Sequence, residues 1–168
     1  FGISFRDGCS DSLVQGNFIG TDYTGNASPV HADGVGNTNS GVHIFALNDI
    51  SHDITVGGNT PGARNVISGN QNTTAFWTPD GVEIDNGSYN NIIQGNYIGV
   101  GANGTTALGN EGAGISIMED DSNNNVIGGT GVGEGNVIAN NGEPGVKIGA
   151  LNTDDLNSNV ILGNSIFN

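Results

Sequence analysis

The chain has very little positive charge, almost no cysteine and no long apolar run. Only 3 lysine and arginine residues stand against 17 aspartates and glutamates, so the formal net charge is −14. Nucleic acids and anionic membrane surfaces are bound by cationic side chains, so this balance argues against both partners. The single cysteine, Cys9, cannot form an internal disulfide. Since no stretch approaches the roughly 18 apolar residues of a spanning helix, we expect no membrane insertion.

Glycine, asparagine and short β-branched runs are what the chain has in abundance. Glycine alone accounts for 30 of the 168 residues. Charged residues amount to only 12%, which is too few for a disordered chain swollen by its own charge. Glycine and asparagine at this frequency are unfavourable in helices. The composition therefore predicts one folded, non-helical domain over residues 1–168.

Three kinds of short apolar segment recur in a fixed order. The first series starts with glycine and has apolar residues at its second and fourth places, at 2–5, 41–44, 81–84, 114–117 and 145–148. The second series follows at 13–15, 55–57, 92–94, 126–128 and 160–162, and the third at 18–19, 66–67, 97–98, 137–138 and 165–166. Such a repeat indicates a solenoid in which each cycle is one coil and each series is one parallel sheet.

The repeat thus predicts an all-β fold, a three-sheet parallel β-helix of about five coils. We expect two inward columns of side chains to form the core: Ile3, Val42, Val82, Ile115 and Val146, and Phe5, Ile44, Ile84, Ile117 and Ile148. Asn17, Asn96 and Asn164 share one corner, where stacked amides are expected to bond along the axis as a ladder. A β-sandwich also has short strands and glycine turns, but it does not explain a three-part repeat.

Several motifs are similar to those of a known family. The stretches GNFIGTD at 16–22, NVISGN at 65–70, GVEI at 81–84 and NVIGG at 125–129 resemble the right-handed parallel β-helix repeats of bacterial proteins in the pectin-lyase-like superfamily. The resemblance implies a right-handed coil and an extracellular or cell-surface location in a bacterium. It leaves activity open, because the superfamily holds polysaccharide lyases, glycosidases and non-catalytic surface proteins.

Both ends of the chain read as strands rather than as caps. The first repeat segment starts at Gly2, and the last runs from Ser165 to the end. Solenoids normally carry polar capping elements, since an open coil exposes strand edges and apolar side chains. Two expectations follow. Either the chain is a segment of a longer solenoid, or copies stack head to tail into filaments.

Glu83 and Asp85 are the strongest candidates for chemistry. As residues i and i+2 of one strand they share the outward face of the first sheet, about 6.5–7 Å apart. That is close to the carboxylate separation of inverting glycoside hydrolases. His43 lies one coil away, where we expect it within hydrogen-bonding range of Glu83. Lys147, two coils away, is a candidate lyase base, and the alternative for the whole set is a solvated face without catalytic function.

Exposed aromatic residues and acidic turns supply candidate binding sites. Trp77, Phe76 and Tyr23 lie in the long connections beside the first sheet, where an aromatic ring can stack on a sugar or cover the flank of the solenoid. Clustered carboxylates attract hard cations. No cofactor is required by these patterns, but Ca²⁺ is a candidate ligand of four aspartates in two equivalent turns: Asp120, Asp121, Asp154 and Asp155.

Regular repetition is the main guide to function. An enzyme usually interrupts its repeat at the active site, and no coil here concentrates acidic, basic and histidine residues. The sequence therefore favours a non-catalytic extracellular β-helix of a surface, adhesin or filament protein, with self-stacking and polysaccharide contact as its interactions. The alternative is a carbohydrate-active enzyme module, a polysaccharide lyase or glycoside hydrolase, that uses the face of the first sheet.

Overall fold

The computed structural model describes residues 1–29, 36–72, 78–119, 121–149 and 156–167. These contain fifteen β-strands in three parallel sheets, each of five strands. Sheet 1 contains β1 (Ile3–Arg6), β4 (Val42–Phe45), β7 (Val82–Ile84), β10 (Ile115–Met118) and β13 (Val146–Gly149). Sheet 2 contains β2 (Leu13–Val14), β5 (Thr55–Gly57), β8 (Ile92–Gln94), β11 (Val126–Gly128) and β14 (Val160–Leu162). Sheet 3 contains β3 (Phe18–Ile19), β6 (Val66–Ile67), β9 (Tyr97–Ile98), β12 (Val137–Ala139) and β15 (Ser165–Phe167).

The chain visits the three sheets in turn, so every three strands complete one coil. Each strand pairs in parallel with the strand three places further along the chain. The three-sheet parallel β-helix of five coils predicted from the repeat is therefore confirmed. Among the described residues, no helix is long and apolar enough to cross a membrane.

The core consists of aliphatic columns that run along the axis. The strand register places Ile3 next to Val42 and Phe5 next to Ile44, and continues both columns to the last coil, as predicted. In a strand, alternate side chains point to opposite faces, which sends these residues inward and their neighbours outward. Burial is complete in the three middle coils, where Ile44, Ile84 and Ile117 are each 0% exposed.

Asparagine ladders close the corners between strands. One ladder has five members, each of whose amide Nδ2 donates to the Oδ1 of the next: Asn17, Asn65, Asn96, Asn136 and Asn164. The prediction named three of these. Two further ladders link Asn37, Asn70, Asn110 and Asn141, and Asn91, Asn125 and Asn159. The same amide oxygens accept backbone N–H groups at the corners, as Oδ1 of Asn96 does from the N–H of Asn65. The amide nitrogens also donate to strand carbonyls, as Nδ2 of Asn96 does to Val56.

At two equivalent corners the structure excludes every residue that has a Cβ atom. Gly57 and Gly128 end β5 and β11 with φ angles of 95° and 87°. A Cβ atom on Gly57 would lie 1.9 Å from the carbonyl oxygen of Gln94, and one on Gly128 would lie 2.0 Å from that of Leu162. The coil stacks so closely at this corner that only glycine fits.

We predict that Asn96→Ala destabilises the fold more than Asn17→Ala. The Asn96 side chain donates to Val56 and Asn136 and accepts from the backbone and side chain of Asn65. Asn17, at the exposed end of the ladder, donates to Gln15 and Asn65. Because a lost buried partner costs about 1–3 kcal/mol, we expect a loss of about 3 kcal/mol at Asn96 and about 1 kcal/mol at Asn17, measured by urea unfolding. Equal losses of unfolding free energy in the two variants would contradict this prediction.

Candidate functional site

The outward face of sheet 1 carries the polar residues singled out in the sequence. The register aligns Ser4, His43, Glu83, Ser116 and Lys147 in one row across the five strands. These side chains point outward, because the aliphatic residues before and after each of them in the strand point inward. Yet His43 and Ser116 are buried, although they face away from the core. Neighbouring aromatic rings and the connections that enter sheet 1 cover this part of the face.

His43 pairs with Asp85 rather than with its register partner Glu83. Its Nε2 lies 3.3 Å from Oδ1 and 3.4 Å from Oδ2 of Asp85. The expected contact with Glu83 is thus replaced by a diagonal one, because side chains lean along the strand direction. Asp85 follows the end of β7, and its backbone N–H still bonds to the carbonyl of Ile44, which holds it beside the histidine.

Aromatic rings fix the His43 imidazole. Phe1 stacks on it with ring centroids 4.3 Å apart and an interplanar angle of 13°. Phe45, in the same strand, packs at 5.0 Å and 34°. The ring is only 5% exposed, and its Nδ1 has no hydrogen-bond partner among the described residues. Packing against these two rings therefore adds to the contact with Asp85 in setting the orientation of this histidine.

Glu83 completes a compact three-residue group. One potential ligand atom from each of His43, Glu83 and Asp85 lies within 4.8 Å of the others. Ser40, which precedes the second repeat segment, donates its hydroxyl to Oε2 of Glu83 at 2.7 Å. This group borders a cleft of about 410 Å³, whose lining includes Phe1, Ser40, Phe45, Thr78 and Pro79. The structure thus brings together three of the four catalytic candidates.

Asp80 is the most perturbed acid of this face. Burial raises the pKa of its carboxyl from 3.8 to about 6, because loss of water disfavours the charged form. Hydrogen bonds from Ser116 and from the backbone of Ala113 oppose that rise, while the charges of Glu83 and Glu143 add to it. Oδ1 accepts from the N–H of Ala113 at 2.6 Å, and Oδ2 accepts from the Ser116 hydroxyl.

Lys147 lies apart from the histidine group. Its Nζ is 2.9 Å from Oε2 of Glu143, four residues earlier in the chain. The hydrogen bond with Glu143 raises the pKa of the Lys147 ammonium, and the same bond lowers the pKa of Glu143. In the register, Ser116 stands between Glu83 and Lys147. A lysine held protonated in this way is poorly suited to act as a lyase base.

The other candidates are placed outside this group or outside the described residues. Tyr23 is 92% exposed. Phe76 and Trp77 lie outside the described residues, and so do three of the four calcium candidates, Asp120, Asp154 and Asp155. Asp121 is exposed, with a φ angle of 58°. The calcium hypothesis therefore stays a prediction.

Sequence reasoning missed the polar residues that support the site. Ser40 and Asp80 each directly precede the glycine of a first-series segment, so they occupy the same place in successive coils. The backbone N–H of Asp80 donates to the Ser40 hydroxyl at 3.2 Å, which links the two coils. The polar residue directly before the glycine in these two successive segments was the available signal.

No protein-family model, no curated protein and no solved structure matches this chain.

We predict that Asp80 makes stability fall as pH rises. Its folded-state pKa lies above the unfolded value, so its contribution is fully present below about pH 4 and is lost as pH rises through about 6. A pKa difference of this size corresponds to about 3 kcal/mol. We therefore compare the free energy of unfolding in urea of Asp80→Asn with that of the wild type. Relative to the wild type, the variant should gain about 3 kcal/mol as the pH rises from below about 4 to above about 6. Asp49→Asn, on an exposed turn, is the control and should show no such gain; an identical pH profile for Asp80→Asn and the wild type would contradict the prediction.

Proposed function

We propose that the protein is a non-catalytic, extracellular structural β-helix that stacks end to end into filaments and contacts polysaccharide along its flank. The motif likeness to bacterial right-handed β-helix repeats of the pectin-lyase-like superfamily and the strongly acidic composition support a secreted, cell-surface location. The observation that carries the proposal is the exposure of apolar columns on the last coil.

Those columns are buried in the inner coils and open to solvent on the last one. Ile148 is 40% exposed, whereas its column neighbours Ile84 and Ile117 are 0% exposed. Ile161 in β14 and Ile166 in β15 continue two other columns and are exposed to a similar extent. Covering each of these side chains fully would contribute about 1 kcal/mol. The surface fits one more coil of the same kind, whether that coil comes from a continuation of the chain or from a second copy.

A second copy offers that coil. The strands of the first coil, β1, β2 and β3, each have one edge without a strand partner in the described structure, and so do β13, β14 and β15. Ile3 and Phe5 in β1 are partly buried and begin the same two columns that end at Val146 and Ile148. Joining the last coil of one copy to the first coil of another continues both the sheets and the columns. Such a contact does not close on itself, so it builds a filament.

We predict that Ile161→Lys abolishes the stacking and that Val160→Lys does not. The two residues are adjacent in β14 and similarly exposed, at 43% and 38%, but they point to opposite faces of the strand. Light scattering should show that wild-type mass grows with concentration and with salt, which screens the −14 charge. Electron microscopy should show fibres with a subunit repeat of about 24 Å, or five strand spacings.

Loss of stacking is informative only in a variant that still folds. Circular dichroism should show that Ile161→Lys keeps the β-structure, and Ile166→Lys serves in its place if it does not. Wild-type protein that stays monomeric at every concentration and salt would contradict the proposal. So would equal loss of assembly in the Val160→Lys control.

A second candidate function is a carbohydrate-active module on the face of sheet 1. It is favoured by one observation, the meeting of His43, Glu83 and Asp85 beside a cleft. Two carboxylates on one face can act as acid and base in glycoside hydrolysis. The buried Asp80, with its pKa raised to about 6, is a further proton donor near the same face.

We predict for this candidate that Glu83→Gln and Asp85→Asn each lower polysaccharide turnover by at least about a hundredfold, the usual contribution of a general acid or base. Asp53→Asn is the matched control, because Asp53 also pairs with a histidine, His52, at 2.7 Å but on another part of the surface. Reducing-sugar release and unsaturated-product absorbance would be measured on a panel of plant and bacterial polysaccharides. Turnover that survives both substitutions, or no turnover by the wild type, would rule out this function.

A further inference from the structure

We propose that His43, Glu83 and Asp85 form a binding site for one divalent transition-metal ion of the Zn²⁺ class. The site combines one imidazole nitrogen with oxygens of two carboxylates, one ligand atom from each lying within 4.8 Å of the others. The inference is independent of the filament proposed above. It competes with the second candidate function, because carboxylates bound to a cation are not free to act as acid and base.

The distances between His43 and Asp85 suit two ligands of one metal ion better than a direct bond. A strong hydrogen bond between a charged pair spans about 2.7–2.9 Å. Here Nε2 lies 3.3 and 3.4 Å from the two carboxylate oxygens. Two ligands in a tetrahedral zinc site, with bonds of about 2.0–2.1 Å, lie about 3.3 Å apart. The rings of Phe1 and Phe45 hold the imidazole at this separation.

Two buried polar atoms of the pair, Nδ1 of His43 and Oδ1 of Asp85, have no hydrogen-bond partner among the described residues. Asp85 is only 9% exposed, and its Oδ1, which faces Nε2 of His43, accepts no hydrogen bond from the described residues. A buried carboxylate oxygen without a donor is costly, and a bound cation would satisfy it. In the described part of the chain, no lysine or arginine forms an ion pair with Asp85 or Glu83. Arg6 approaches the rings of Phe1 and Phe45 instead.

Glu83 is held in a position to act as the third ligand. Ser40 donates to its Oε2 at 2.7 Å, an outer hydrogen bond of the kind that orients ligating carboxylates. The cleft of about 410 Å³ lies on the open side of the three residues. A fourth position would thus face the cleft, where water or an anionic ligand can enter.

The donor set also indicates which ion would bind. Ca²⁺ prefers six to eight oxygen ligands and makes little use of imidazole. A site of one imidazole and two carboxylates suits Zn²⁺ and its first-row neighbours. With neutral imidazole, the two carboxylates balance the charge of a divalent ion.

Calorimetric titration of the chain with Zn²⁺ tests the proposal directly. We expect one ion per chain and a loss of affinity of at least about tenfold in both His43→Gln and Asp85→Asn. His52→Gln is the matched control, because His52 also contacts an aspartate, Asp53, yet lies outside the three-residue group. Titration with Co²⁺ gives a second readout, since a tetrahedral site produces intense visible absorption bands.

Each outcome supports or overturns the site. Loss of Zn²⁺ binding and of the Co²⁺ bands in His43→Gln, with both kept in His52→Gln, supports it, provided that circular dichroism shows both variants folded. Glu83→Gln, at the less buried ligand, replaces any variant that fails to fold. Absence of binding by the wild type would overturn the proposal, and so would equal weakening by His52→Gln. Ca²⁺ binding that is stronger than Zn²⁺ binding and unaffected by His43→Gln would likewise overturn it.

Discussion

The fold depends on satisfying backbone hydrogen bonds at the corners of each coil. Strands of two to four residues leave much of the chain outside the sheets, and every buried polar backbone group there needs a partner. At one corner the asparagine ladder supplies partners for the backbone N–H groups of Asn17, Asn65, Asn96 and Asn136. Asn65, Asn96 and Asn125 are 0% exposed. Each of them donates both to the next asparagine of its ladder and to a backbone carbonyl. Because the hydrogen bonds at the corners are satisfied in this way, successive coils can stack and bring the aliphatic side chains into columns.

That constraint also shapes the polar face of sheet 1. The ladders and inward columns fix the strand register, and the register decides which outward residues become neighbours. His43, Glu83 and Ser116 are aligned by backbone pairing alone. The connections before each strand then add Ser40 and Asp80, which bond across coils to Glu83 and Ser116. The strands therefore set the spacing of the residues on this face, and side-chain packing decides which of them touch.

Much of the fold was readable from the sequence, while the site was readable only in part. Repetition at one-coil intervals placed Ile44 beside Ile84 and His43 beside Glu83, since parallel pairing follows the repeat. Side-chain direction within that register is a local matter of rotamers and packing. The sequence therefore did not reveal that His43 leans towards Asp85, that Phe1 stacks on it, or that Asp80 reaches Ser116. The ladder members Asn65 and Asn136 were missed because their corners follow longer connections.

The five-membered ladder has a direction. From Asn17 to Asn164 each amide nitrogen donates to the oxygen of the following residue, so the amide dipoles all point the same way. Bonds aligned in this manner polarise one another. The Asn17 end presents a carbonyl oxygen that can accept, and the Asn164 end presents an amide nitrogen that can donate to a following oxygen. A further coil at either end would continue the ladder only if its own amide had the same polarity.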